Sequence, residues 1–241
     1  MRLQGKTALI TGGGTGMGLG SAQALASEGC RVAIAGRRDE VLRQAAATCD
    51  PGLLFHAVDV SDRDSVRALF EWANAELRQI DILVNSAGVN IKTRKMSEMT
   101  PEQWDSVLRI NATGTYNCMY EVLPQMRERR DGLIVNVSSI SGKRALAIGG
   151  IAYCASKFAT AALGTAVGAE EIPNNIRITT VYPGEVNTPF LEARAVQPTP
   201  EQRAVMLQPE DVGAMVLAVA CLPPTAHVSE IILKPTVQEF V

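Results

Sequence analysis

Tyr153 and Lys157 stand in the run Ile151-Ala-Tyr-Cys-Ala-Ser-Lys157-Phe, an alanine-rich segment that favours helix. Side chains at i and i+4 share a helix face, so this spacing sets an ammonium near a phenol, where its charge favours the phenolate. A free tyrosine titrates near pH ~10 and is a poor acid or base at neutral pH. Lowering that value by about three units corresponds to roughly 4 kcal/mol of preferential phenolate stabilisation. Such a pair is a candidate for proton transfer to or from a reacting oxygen. The same spacing also arises from two unrelated helix residues, so its meaning depends on the rest of the chain.

A second chemical signal lies near the N-terminus. Lys6-Thr-Ala-Leu-Ile10 is a short apolar run that predicts a buried strand. Thr11-Gly12-Gly13-Gly14-Thr15-Gly16-Met17-Gly18 follows, and then the helical pattern Leu19-Gly-Ser-Ala-Gln-Ala-Leu-Ala-Ser-Glu28. Strand, glycine turn and helix form a cradle for a pyrophosphate. Glycines let the main chain come close, and the helix start offers unpaired N–H groups to the anion. A plain glycine-rich loop would share this composition.

The T-G-x-x-x-G-x-G spacing, with Tyr153-x-x-x-Lys157, resembles the short-chain dehydrogenase/reductase family. The resemblance runs from about Leu3 to the C-terminus, with further motifs in order. Asp59-Val60 looks like the adenine-side acidic motif, and Asn85-Ser86-Ala87-Gly88 is similar to the family's N-N-A-G. Asn111 in Asn111-Ala-Thr-Gly114 and Ser139 at the end of Leu133-Ile-Val-Asn-Val-Ser-Ser139 match the other two catalytic positions. Pro183-Gly184-Glu185-Val186-Asn187-Thr188 matches the P-G-x-V-x-T stretch beside the nicotinamide.

The resemblance implies a nicotinamide dinucleotide held by Gly12, Gly14, Thr15, Gly16, Met17, Gly18, Asp59, Val60, Asn85, Ala87 and Gly88. Pro183, Gly184, Val186, Thr188 and the Tyr153 and Lys157 side chains complete that set. The implied chemistry is reversible hydride transfer with a small carbonyl or alcohol. Tyr153 would exchange the proton and Lys157 would lower the tyrosine pKa and bind the nicotinamide ribose. Ser139 would hold the substrate oxygen, and Asn111 would fix a water in a proton relay. Ser139 is preferred over Ser138 because it opens the S-x-x-G pattern, and alternate strand residues face opposite sides.

Cofactor choice turns on the second strand, Arg31-Val-Ala-Ile-Ala35, which ends in Gly36-Arg37-Arg38-Asp39. An NAD site usually carries a carboxylate at this strand end to bind the ribose. Here glycine stands there, followed by two arginines. A guanidinium binds a 2′-phosphate through charge-assisted hydrogen bonds, so NADP(H) is favoured, with Arg37 ahead of Arg38. Asp39 turned inward would weaken that preference.

The elements that position these residues alternate along the chain. Strand candidates recur at 6–11, 31–36, 53–58, 80–85, 132–138, 176–182 and 228–233, with amphipathic stretches between them. Ser61 is a candidate cap for the helix after the third strand, and Thr100-Pro101-Glu102-Gln103 starts another. This alternation predicts one α/β domain over 1–241, a Rossmann-like doubly wound parallel β-sheet of about seven strands with helices on both faces. Ligands in such sheets lie beyond the strand C-terminal ends, where the glycine turn, Asp59, Asn85, Ser139 and Pro183 fall.

A chain of 241 residues with 46% hydrophobic content suits one buried parallel sheet, and a net charge of −2 gives no nucleic-acid signature. No charged-then-apolar leader opens it and no apolar run spans a bilayer, so no membrane partner is expected. The five scattered cysteines suit a reducing cytoplasm, and two distant histidines argue against a metal site.

Residues 188–207 should form a flap over the substrate. Arg194 on it, and the basic pair Lys143 and Arg144, admit an anionic substrate, whereas Ile148, Phe190 and Leu191 would give an apolar wall. The ending Lys234-Pro-Thr-Val-Gln238 looks like a branch that includes NADP-dependent 3-hydroxy acid and serine dehydrogenases. The resemblance also implies a homodimer or homotetramer built on helices near 101–130 and 151–171. A non-redox lyase or epimerase and a nucleotide sensor are the alternatives on this fold. A serine hydrolase lacks its G-x-S-x-G elbow.

Overall fold

The structure, a computed structural model, describes residues 1–49, 52–194 and 196–239. Its strands are β1 (Thr7–Thr11), β2 (Arg31–Gly36), β3 (Leu54–Ala57), β4 (Ile82–Asn85), β5 (Gly132–Val137), β6 (Ile176–Pro183) and β7 (Glu230–Leu233). All pair in parallel in the order β3-β2-β1-β4-β5-β6-β7. The seven apolar runs of the sequence are these seven strands, trimmed at their ends. The helices are α1 (Gly16–Ser27), α2 (Asp39–Ala46), α3 (Arg63–Leu77), α4 (Pro101–Leu108), α5 (Gly114–Arg129), α6 (Ile151–Glu170), α7 (Pro200–Ala204) and α8 (Pro209–Ala220).

Strand residues alternate between two cores, as the period of two requires. Ile10, Ile34, Val84 and Val135 face one side, against Leu25 of α1, Leu42 of α2 and Val212 and Val216 of α8. Leu9, Leu83, Ile134 and Ile178 face the other, against Leu69 and Phe70 of α3 and Val122 and Met126 of α5. Each such fully buried side chain contributes roughly 1.5–3 kcal/mol. Among the described residues, no helix is long and apolar enough to cross a membrane.

Two local features differ from the sequence reading. Asp62, not Ser61, caps α3: its Oδ1 accepts from the N–H groups of Asp64 and Ser65 at 2.8 and 3.1 Å. Ser61 instead donates its N–H and hydroxyl to Asp59 Oδ1, at 2.9 and 2.7 Å. The long helix expected over 101–130 is broken by a π-helical turn, Arg109–Thr113, between α4 and α5. The extra residue in that turn re-aims its side chains, and Asn111 lies in it.

The chain runs outward through β1, β2 and β3 and returns to β4 beside β1. Thr11 therefore pairs with Ala35 on one side and Asn85 on the other. This reversal opens a crevice at the strand C-terminal ends.

Candidate active site

The crevice holds a cavity of about 510 Å³. The β1–α1 turn supplies Gly12, Gly14, Thr15, Gly16 and Met17, and the end of β2 supplies Arg37 and Arg38. Asp59 and Val60 follow β3, while Ala87 and Gly88 follow β4. The turn is tight enough to exclude side chains. Gly12 has φ +68°, and a Cβ there would lie 2.7 Å from the Ser86 carbonyl oxygen. A Cβ at Gly18 would lie 2.3 Å from the Gly12 oxygen. Gly18 thus shapes the turn from behind and does not line the cavity. The main chain of the turn and the first residues of α1 are left facing the opening, as an anion site requires.

Arg37 and Arg38 form no salt bridge with each other's surroundings among the described residues, and Asp39 pairs outward with Arg43 at 2.7 Å. Asp39 does not line the cavity. Burial raises the Asp59 carboxyl, but the Ser61 hydrogen bonds and the nearby Arg37 and Arg109 charges outweigh it, leaving the pKa below the usual value. Asp59 thus presents a carboxylate to the crevice beside Arg37.

A second cavity of about 150 Å³ adjoins the first. Met17, Gly88, Thr188 and Phe190 line both. Ser139, Tyr153, Lys157, Pro183, Gly184 and Val186 belong to the smaller one. α6 brings Tyr153 and Lys157 onto one face as their spacing requires. β5 ends at Val137, and the next residues divide their tasks. Ser138 is buried and donates its hydroxyl to the Lys157 carbonyl at 2.9 Å. Ser139 lines the cavity, accepts the Ser141 N–H at 3.1 Å, and lies near enough to the Tyr153 phenol to favour its ionised form.

Electrostatics around the phenol depart from the expectation drawn from the sequence. Burial raises the Tyr153 pKa to about 12; the Ser139 hydroxyl and the Arg94 and Arg194 charges oppose the rise without cancelling it. Lys157 lies over the ring, 5.7 Å from its centroid, and donates Nζ to the Val137 carbonyl at 2.8 Å. Its own pKa falls to about 8 because the ammonium is buried. The cations acting on the phenol are therefore the two arginines, and desolvation outweighs them.

Asn111 lines neither cavity. Its Oδ1 accepts the Val89 N–H at 2.8 Å, and its Nδ2 donates to the Val89 carbonyl and to Ser156 Oγ, both at 2.9 Å. The amide clamps the segment after β4 to α6, close to where Lys157 Nζ passes Gly88. A Cβ on Gly88 would meet Asn111 Oδ1 at 3.4 Å and Lys157 Nζ at 3.6 Å. Asn85 is buried in β4 behind the crevice, donating Nδ2 to Asn136 Oδ1 at 2.9 Å. Asn111 acts on the site through the Val89 backbone it holds, whereas Asn85 ties β4 to β5 through the Asn136 side chain.

The flap is anchored at its base by a parallel bridge between Val186 and Leu207. Its first turn, Pro189–Ala193, sets the Phe190 ring 5.6 Å from that of Tyr153. Ala195, within the flap, lies outside the described residues. Lys143 does not reach the cavity. It pairs with Glu230 at 2.6 Å and lies over the Tyr182 ring, 4.6 Å from its centroid. Arg94, Glu185 and Gln238 are among the lining residues that the sequence reading did not name as site groups. Glu185 sat inside a recognised motif, and Gln238 ended a recognised C-terminal pattern. Arg94 lies in the irregular stretch between β4 and α4, where no spacing marks it.

Comparison with known proteins agrees with this geometry. A family model described as short chain dehydrogenase matches residues 6–198. An uncharacterized oxidoreductase of Staphylococcus aureus is 30% identical, over 97% of this chain and 98% of its own length. Glycine betaine reductase of Emericella nidulans is 33% identical over 97% of this chain, which spans 19% of that longer protein. Among solved structures, the closed form of serine dehydrogenase complexed with NADP+ superposes with a TM-score of 0.89 and 28% identity, covering 97% of this chain and 96% of that one. With its parallel sheet, glycine turn and tyrosine–lysine pair already placed at one crevice, the chain belongs to the short-chain dehydrogenase family.

Proposed function

We propose that this protein is an NADP(H)-dependent oxidoreductase acting on a small carbonyl/alcohol pair, with Tyr153 as general acid/base. One observation carries the reading. The Tyr153 phenol and Ser139 line the same small cavity, which opens directly into the glycine-turn crevice.

The residues present fit a nicotinamide dinucleotide. The turn around Gly12 and Gly16 leaves room for a pyrophosphate against main-chain N–H groups at the start of α1. Arg37 and Arg38 stand where an adenosine 2′-phosphate would need positive charge, with Asp39 held away by Arg43. That disposition supports NADP(H) over NAD(H). The dinucleotide, when bound, supplies or accepts the hydride.

The chain's own groups do the rest. In reduction the substrate carbonyl carbon gains hydride while its oxygen takes the Tyr153 proton, which solvent replaces afterwards. A phenol held neutral by burial keeps that proton available at neutral pH. Ser139 donates to the same oxygen and fixes its position, and Phe190 on the flap limits water access beside the ring. Lys157 lies over the ring, its Nζ held by the Val137 carbonyl, and fixes the wall of the cavity between β5 and α6. Asn111 is a positioning residue for the Val89 backbone and α6.

Exposed aromatic side chains on the expected assembly helices support association of copies of the chain. Tyr116 and Tyr120 stack at 6.0 Å on α5, and Phe158 of α6 is also exposed. Light scattering on the eluted protein tests this, and a monomer at micromolar concentration sinks it.

The deciding experiment is NADPH and NADH oxidation at 340 nm across ketones, aldehydes, diketones and oxo acids. Carbonyl-dependent oxidation that is faster with NADPH supports the reading. Tight NADPH binding without oxidation by any carbonyl overturns it.

A further inference from the structure

The small cavity beside Tyr153 carries more positive than negative charge. Arg94, Lys157 and Arg194 line it, and Glu185 is its one carboxylate among the described residues. Glu185 is already engaged, since its Oε1 accepts from Arg194 Nη2 at 2.7 Å. Arg94 has no acidic partner among the described residues. Its Nε donates to the Ile91 carbonyl at 3.1 Å, Nη2 to Ala193 at 2.9 Å, and Nη1 to the Ile148 carbonyl. Carbonyl oxygens orient a guanidinium but do not neutralise it. Those bonds occupy one N–H on each nitrogen, so about two of the five in the fork remain for a ligand.

Arg94 and Arg194 are close enough to act on each other and on the Tyr153 phenol, so the charges converge on the reacting end of the cavity. Leu146, Ile148 and Phe190 supply apolar surface beside these charges. An anion there would relieve the repulsion between the two guanidiniums. A planar fork suits a carboxylate best. The cavity, at about 150 Å³, limits the rest of the molecule to a short chain.

We propose that the cavity takes a short carboxylated substrate, an oxo acid or the matching hydroxy acid, whose carboxylate is held by Arg94 and Arg194 while Tyr153 and Ser139 meet its carbonyl or hydroxyl oxygen. This rests on the hydride-transfer reading above and narrows its substrate class. The carboxylate takes no part in the chemistry and serves as a handle that fixes the reacting carbon.

The test is calorimetric titration of short 2- and 3-hydroxy acids, each beside its own methyl ester, into protein saturated with NADP+. At least one acid should bind about 10- to 100-fold more tightly than its ester, the range for a charge-assisted contact. Arg94→Met should remove most of that preference while the ester affinity changes little. Arg94→Lys, which keeps the charge and loses the fork, should keep part of it. Because Arg94 also ties three backbone segments, Arg194→Gln serves as the second variant and should lower acid binding selectively. The proposal is overturned if no acid outbinds its ester, or if both variants weaken acid and ester equally. NADPH oxidation run in parallel separates the two readings. Turnover of neutral ketones without acid preference removes the substrate class and leaves hydride transfer. Acid-selective binding with no turnover of any carbonyl leaves the anion site and removes hydride transfer.

Discussion

Lys157 sits over the ring of Tyr153, 5.7 Å from its centroid, with its Nζ bonded to the Val137 carbonyl. The ammonium is buried and its pKa falls to about 8 from 10.5. In that window the unfolded chain binds the proton and the folded chain does not, so stability rises with pH between about 8 and 10.5. Below pH 8 the burial penalty is present in full. Lys157→Met lacks the penalty, so its advantage over the wild type should shrink as pH rises through that window, by about 3 kcal/mol in all. Urea unfolding of both proteins measures this. The rises of Cys30 and Cys118 to about 12 are common to both and cancel. A difference independent of pH contradicts the buried-cation account.

Tyr153→Phe removes the proton and keeps the ring against Phe190. Turnover should fall by about 10²–10⁴, while NADPH affinity changes by less than about threefold. Stopped-flow turnover and fluorescence titration give the two numbers. Wild-type turnover in the variant rules out the proton-transfer role.

Ser138 and Ser139 should separate in kcat. Ser139→Ala removes a cavity hydroxyl and the acceptor of the Ser141 N–H, so it should lower kcat and also cost about 1 kcal/mol of stability. Ser138→Ala removes the bond to the Lys157 carbonyl and should cost about 1 kcal/mol of stability. Initial rates on the folded variants decide it, and a larger loss of kcat in Ser138→Ala than in Ser139→Ala would reassign the substrate-facing serine.

Arg37→Leu should weaken NADPH by about 10- to 100-fold and NADH by far less, since one charge-assisted contact to the 2′-phosphate is lost. Equal losses for the two dinucleotides would place the phosphate elsewhere.

Gly18→Ala would drive a methyl group to 2.3 Å from the Gly12 oxygen. The turn must shift, costing about 1–3 kcal/mol, and dinucleotide binding should fall with it. Binding at wild-type strength would show that the turn tolerates displacement.

Much of this arrangement is legible from sequence because it is written in local patterns. Apolar runs set the seven strands, and i,i+4 spacing puts Tyr153 and Lys157 on one face. Strand alternation turns the Ser138 hydroxyl toward α6, although both serines line the cavity. What escaped depends on distant partners. Lys143 looked like a site cation, but Glu230, far along the chain, draws it away. Arg94 gains its place from the carbonyls of Ile148 and Ala193, which no spacing reports. The direction of the Tyr153 pKa follows from desolvation, and burial depth belongs to the folded molecule. Asp62 and Ser61 both suit a cap, and Asp59 settles the choice by engaging Ser61.

The reversal of strand order between β1 and β4 has a kinetic consequence. The pairing of Thr11 with Asn85 closes a loop that carries β2, β3 and their helices. Contacts between such distant residues form late, because the loop must close before the pairing rewards it. A nascent chain therefore has its glycine turn long before it has the opposite wall of the crevice. Affinity for the dinucleotide should emerge with the β1–β4 contact, so bound ligand stabilises the assembled half-sheets and none of the earlier species.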